Sequence, residues 1–222
     1  MKRRKLATVA VVVLAILGAV GGWVAYMASP TKGSRIAAYS QPRKALVVVD
    51  MEEDCVGPDA RPPFPYRNAQ QMIAAINPLI AQAEQQGTPV VFVNQTFGGI
   101  AGTVWSRVFV GGRLREGSPG TLVDRRLSTG SHPQFAKPKG DAFSNPALDA
   151  YLIKNQVDTV VIAGVDAEFC VHLTAEGALN RGYKVILVKD AIGLMHEKKW
   201  DELLSSFAKE GIQVVEGRDV KF

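Results

Sequence analysis

The side chain best suited to covalent chemistry is Cys170, within DTVVIAGVDAEFCVHLTAEGALNRGYKVILVKDA, residues 158–191. Val171, Thr174, Ala175, Ala178 and Leu179 recur at helical spacing behind it. That places the thiol at the start of a helix, facing free backbone N–H groups and the positive end of the helix dipole. Both favour the thiolate, the nucleophilic form, and an oxyanion formed there finds donors nearby. A small buried hydrophobe is the competing reading of the same cysteine. Two other residues join it. Asp50 follows the apolar run Ala45–Val49, and Lys137 ends a short strand. A carboxylate beside a thiol can act as its base, and an ammonium lowers the pKa of both. Asp50 also has a structural reading, as a solvated strand-end carboxylate or a helix cap.

These three residues meet only if the strands that carry them run side by side. Thr159–Ala163 is a β-branched run that stops at Gly164, and Tyr183–Val188 is another. Ala45–Val49, Pro89–Val93, a strand ending near Lys137, and Ile212–Val215 complete the set. Between them lie helices expected over Ala69–Gln86, after the Ser144/Asn145 cap, after Cys170, and over about Glu197–Lys209. Strands and helices alternate without hairpin signals. The pattern calls for one α/β domain, a three-layer α/β/α sandwich with a mostly parallel, Rossmann-like sheet. In such a sheet the strand C-termini share one edge, so Asp50, Lys137 and Cys170 converge there. Thr96–Ser131 reads as a long, glycine-rich irregular segment containing Trp105, either a wall of the pocket or a surface excursion.

Ahead of the domain, residues 1–5 are MKRRK, and Leu6–Ala28 contains no charge. This predicts a transmembrane signal anchor over residues 1–28, basic end in the cytoplasm, preferred over a cleaved signal peptide. The expected location is the inner membrane, single-pass, with the catalytic domain on the periplasmic side, or secretion if the segment is cleaved. Residues 29–44 mix Ser, Pro, Gly and basic residues and read as a tether, leaving 45–222 as the domain. Of the net charge of +5, four units come from Lys2, Arg3, Arg4 and Lys5, so the rest carries +1 and nucleic acid is not an expected partner. Two cysteines and three histidines make neither a disulfide framework nor a structural zinc site. No phosphate-binding glycine motif is present, and no cofactor is expected.

Three segments resemble the isochorismatase-like cysteine hydrolase superfamily, which includes nicotinamidases, N-carbamoylsarcosine and ureidoacrylate amidohydrolases and isochorismatase. They are ALVVVDMEEDCV (45–56), KPKGDAFSNPAL (137–148) and GVDAEFCVHLTAEGALNRGYKVILVKDA (164–191). The resemblance implies a catalytic set of Asp50, Lys137 and Cys170, with the N–H groups of Asp166 and Cys170 as oxyanion hole after a cis Val165–Asp166 peptide. It suggests Cys55, Trp105 and Phe143 as pocket residues; Cys55 either fills, as a hydrophobe, the place where relatives have phenylalanine, or pairs with Cys170 in a reversible disulfide. It also implies a small-molecule substrate and a homo-oligomer. Nicotinamidases carry an Asp-x-His metal motif after the second strand. Here that stretch is Val93-Asn94-Gln95-Thr96-Phe97, so no metal is expected. Ala167 stands where many members have threonine. Isochorismatase itself lacks the cysteine, so Cys170 favours amide hydrolysis. The alternatives are vinyl-ether hydrolysis and a catalytically idle, ligand-binding or thiol redox-sensing envelope protein.

Overall fold

A computed structural model describes residues 2–64 and 66–222, with side chains in the first helix from Val11 onward. The core is a six-stranded, wholly parallel sheet in the order β3-β2-β1-β4-β5-β6. Its strands are β1 (Arg43–Val49), β2 (Val90–Gln95), β3 (Gln134–Lys137), β4 (Val157–Val165), β5 (Lys184–Gly193) and β6 (Gln213–Val215). Alternation along β1 divides the core in two. Leu46 and Val48 face one layer, with Met72, Ile76 and Ile80 of α3 (Ala69–Gln85). Ala45, Val47 and Val49 face the other. That layer holds α5 (Pro146–Lys154), α6 (Cys170–Asn180) and α7 (Trp200–Lys209). Both faces of the central strands are covered, which is why they read as continuous apolar runs rather than alternating ones.

β4 does not stop at Gly164 but runs to Val165. Gly164 holds φ at 114°, and a Cβ there would lie 1.9 Å from the Val49 carbonyl oxygen. Only glycine lets β4 pass β1 this closely just before Asp50.

Two expectations are corrected. The segment Thr96–Ser131 is not wholly irregular: α4 spans Gly99–Phe109, after the short helix α2 (Glu53–Val56) on the same side of the sheet. Ile100, Val104 and Val108 recur at helical spacing along α4, but they face outward, so no core-facing stripe announces the helix. The tether is docked. Thr31 N donates to Asp141 Oδ2 at 2.6 Å, Arg181 Nη1 donates to Thr31 Oγ1 at 3.0 Å, and Ile36 N donates to the Arg181 carbonyl at 2.8 Å. Among the described residues no helix is long and apolar enough to cross a membrane, and residues 2–27 form the helix α1 (Lys2–Met27). Its last turn packs on the domain. Gly140 N donates to the Met27 carbonyl at 3.4 Å, and Lys139 Nζ lies 4.4 Å from the centre of the Tyr26 ring.

Candidate active site

The order of the strands reverses direction between β1 and β4, and ligand crevices form at such switch points. Asp50 leaves β1 there with a positive φ of 52°, and its N–H donates to the Val93 carbonyl at 2.8 Å. Lys137, the last residue of β3, is fully buried. Its ammonium has three donors and three acceptors: Asp50 Oδ2 at 2.9 Å, Gln95 Oε1 at 2.9 Å and the Lys139 carbonyl at 3.2 Å. Gln95 closes the loop, since its Nε2 donates to the Lys137 carbonyl at 2.9 Å. The other carboxylate oxygen of Asp50, Oδ1, is buried and has no hydrogen-bond partner among the described residues. It is the oxygen left to take a proton.

Cys170 opens α6 and is close enough to feel both charges. Here the structure corrects the sequence argument about its protonation. Burial and the Asp50 carboxylate push the thiol well above its ordinary value, and Lys137 pulls it back only in part. The dipole of an eleven-residue helix offers too little to offset that desolvation. Burial and the Asp50 charge both favour the neutral thiol, which would need a base to act as a nucleophile. Burial also raises Asp50 above the usual aspartate range, against the pull of Lys137. A carboxylate raised in this way is a better acceptor for a thiol proton. Burial alone would lower Lys137, but Asp50 and Cys170 outweigh it and hold the ammonium charged.

The Val165–Asp166 peptide is cis, as the resemblance implied. The Asp166 carboxylate braces the loop before Cys170, accepting from Glu168 N at 2.8 Å and Met195 N at 2.7 Å. The N–H of Cys170, at the first position of α6, lies among those without an acceptor inside the helix.

Asp50, Cys55, Trp105, Asp166 and Cys170 all line one cavity of about 300 Å³. Cys55 is buried within it, and both cysteines are free thiols. Phe143 is not part of the cavity. It is buried behind the site, its ring 5.5 Å from that of Tyr183 and capped by the Arg181 guanidinium at 4.8 Å. The 3₁₀ turn over Ala142–Ser144, capped by the Asp141 carboxylate, carries the ring into the core.

Four further contributors were missed from the sequence. Gln95 positions Lys137. Glu52 is fully buried, accepts a hydrogen bond from Gln95 N, and is pushed well above its ordinary value by burial and by Asp50. Val24 and Met27 of α1 close the cavity from above. The alternation of β2, which points Gln95 to the same side as Val93, was a signal available for the first; nothing in the sequence marks the helix as a wall. For a nicotinamidase-type metal the residues do not fit. Asn94 Nδ2 is spent on the Thr121 carbonyl at 2.8 Å, Gln95 is spent on Lys137, and no histidine lines the cavity. The one cluster of potential ligands among the described residues, His172, Glu176 and Glu210, lies between α6 and α7, and none of its members lines the cavity.

Residues 44–219 match the family described as the isochorismatase domain. N-carbamoylsarcosine amidase of Arthrobacter sp is 23% identical over 159 residues, 68% of this chain and 60% of that protein. Streptothricin hydrolase of Streptomyces noursei is 30% identical over 172 residues, 77% of this chain and 60% of that protein. The chain therefore spans about 60% of the length of both relatives. The crystal structure of N-carbamoylsarcosine amidase from Thermoplasma acidophilum aligns with a TM-score of 0.70 at 27% identity, covering 81% of this chain and 99% of that one.

Proposed function

The chain belongs to the isochorismatase family, and on that premise we propose that it hydrolyses the C–N bond of a small-molecule amide through a thioester on Cys170. The observation that carries the reading is the buried Asp50–Lys137 pair at 2.9 Å at the strand ends, with Asp50 facing the same cavity as Cys170. Sγ of Cys170 attacks the carbonyl carbon as its proton passes to Asp50 Oδ1. The N–H groups of Asp166 and Cys170 receive the oxyanion. The tetrahedral adduct collapses, the C–N bond breaks, and Asp50 returns the proton to the leaving nitrogen. Water then attacks the thioester, losing a proton to Asp50. The acid leaves, and that proton restores the thiol. Lys137 stays charged throughout, holds Asp50 in place and favours its ionised form at the start of each half-reaction.

The test is mass spectrometry of the full chain incubated with a panel of amides and aldehydes. A mass increase mapped to Cys170 and absent from Cys170→Ala supports the reading. No adduct and no turnover across the panel overturns it in favour of a catalytically idle protein.

Location is a separate proposal, resting on the sequence. The basic cluster and the uncharged stretch 6–28 support a single-pass anchor with the domain outside the cytoplasm. The exposure of Val12, Leu14, Ile16 and Leu17 on several sides of α1 is consistent with an apolar environment around it. Protease added to intact spheroplasts should digest the domain; protection would sink the proposal.

A further inference from the structure

An apolar extension adjoins the catalytic cavity across Trp105. A second cavity, of about 320 Å³, lies between α1 and α4, lined by Val20 and Trp23 on one side and Ala101 and Val104 on the other. Trp105 belongs to both cavities and forms their common wall. Its ring stands 6.3 Å from that of Trp23 and 4.1 Å from that of Phe109. The extension contains no charged side chain, and the catalytic cavity has only Asp50 and Asp166. A substrate carboxylate in it would therefore be desolvated without a free counter-charge, because Lys137 is already saturated. Along α1 from Met27, beside Cys170's cavity, to Ala19, in the extension, the axis advances about 12 Å. Val104 is 56% exposed and Phe109 45% exposed, so this is apolar surface that an isolated domain would keep in water.

We propose that the substrate is an amphiphilic amide whose carbonyl is attacked by Cys170 and whose hydrocarbon tail passes Trp105 and lies in the groove between α1 and α4. This deepens the amidase reading and rests on it for the chemistry. The tail is the occupant because the groove adjoins the catalytic cavity at Trp105 and offers only dispersion contacts and apolar burial. Small polar amides would reach Cys170 but leave the groove empty.

The experiment uses the full chain in lipid nanodiscs, with acetamide, hexanamide and decanamide as substrates and released ammonia as the readout. The decanamide-to-acetamide ratio of kcat/KM should be large, rising about two- to fourfold for each methylene buried. Ala101→Trp fills the groove at an exposed position and should collapse that ratio at least tenfold. Partitioning of long amides into the bilayer affects both chains equally, so the comparison between them is the reading. A ratio near one in the wild type, or one untouched by Ala101→Trp, overturns the proposal. A groove that instead seats a second copy gives dimers in sedimentation, dissociated by Ala101→Trp, without chain-length dependence; that also overturns it. Calorimetric binding of the same amides to Cys170→Ala keeps the two readings apart. Tail-dependent binding that is lost in the Cys170→Ala, Ala101→Trp double variant, with no turnover by the wild type, removes the amidase and leaves the groove. Turnover of acetamide without any tail dependence does the reverse.

Discussion

On the sheet side of the cavity, Lys137 places all three ammonium donors on acceptors 2.9 to 3.2 Å away, within a fully buried network. On the opposite side, α1 and α4 meet through Trp23 and Trp105 and leave Val104 open to water. The first wall is fixed by strand register: Gln95 and Lys137 are paired residues of β2 and β3, so their side chains cannot drift apart without slipping the sheet. The second wall has no register, only apolar contact and a strap at its base. Directional polar contacts hold the reacting groups, and non-directional ones shape what can approach them. On the proposed reading, chemistry would be carried by the scaffold and selectivity by its rim.

The largest expected effect comes from breaking the sheet wall. Cys170→Ala, Asp50→Asn and Lys137→Ala should each lower kcat/KM for an amide substrate by about 10³-fold or more, with double variants losing little beyond the singles. Lys137→Ala also leaves the Asp50 charge buried and unpaired, at a stability cost of about 3–5 kcal/mol. Multiplicative losses in the doubles would show that the residues do not act as one unit. The pH profile adds a sign. Asp50 must be ionised to accept the thiol proton, and burial raises its pKa, so activity should fall with acid at a higher pH than an ordinary aspartate would give. A limb at the ordinary aspartate value would mean that Asp50 is not the base.

Gly164→Ala tests the same wall through its backbone. The added methyl would meet the Val49 carbonyl at 1.9 Å at a φ of 114°, so β4 and β1 must separate just where Asp50 emerges. We expect about 3 kcal/mol or more of destabilisation in denaturant unfolding, with weakened activity in whatever folds. A neutral result would mean the strand ends tolerate separation.

The contrast between the two walls also explains what the sequence made legible. Ala45–Val49 and Thr159–Ala163 could be read as buried strands because both of their faces are apolar, and their order placed Asp50, Lys137 and Cys170 on one edge. Phe143 was misplaced because its neighbours in KPKGDAFSNPAL are polar, and only the turn capped by Asp141 decides that the ring goes inward. The helix α4 was hidden by glycines and by an apolar stripe with nothing beneath it. The protonation of Cys170 was misjudged because the helix N-terminus is visible in a sequence whereas desolvation is a property of the assembled site.

Glu52→Gln has a smaller effect, and its size depends on pH. The folded state holds Glu52 protonated well above its ordinary value, whereas the unfolded chain ionises it near that value. A group raised in this way contributes most at low pH, and the wild type loses stability as pH rises from the ordinary glutamate value through the raised one. Glutamine does not ionise and keeps an oxygen for the Gln95 N–H. Stability of Glu52→Gln relative to wild type should therefore increase with pH across that window, by at most about 1.4 kcal/mol per pH unit. A flat difference in urea midpoints between pH 5 and roughly 8, where stability is commonly greatest, would mean that Glu52 is ionised in the fold.

The smallest expected effect lies at the rim. Thr31 stands four residues after Met27 and ties the end of α1 to the domain. Its Oγ1 donates to Asp141 Oδ2 at 2.5 Å and accepts from Arg181 Nη1 at 3.0 Å. Thr31→Val removes both bonds while keeping the shape and the backbone N–H donor to Asp141. The cost should be about 1–2 kcal/mol, since Asp141 retains its bonds from Thr31 N and Phe143 N. The triad is untouched, so acetamide turnover follows the folded fraction alone. The groove depends on where α1 sits, and so the decanamide-to-acetamide ratio should fall even in fully folded protein. If the ratio holds while stability drops, α1 is seated by its apolar contacts with α4 and the strap only adds stability. If both hold, neither hydrogen bond of Thr31 matters, and the rim is anchored by the backbone contacts of Ile36 and Gly140 instead.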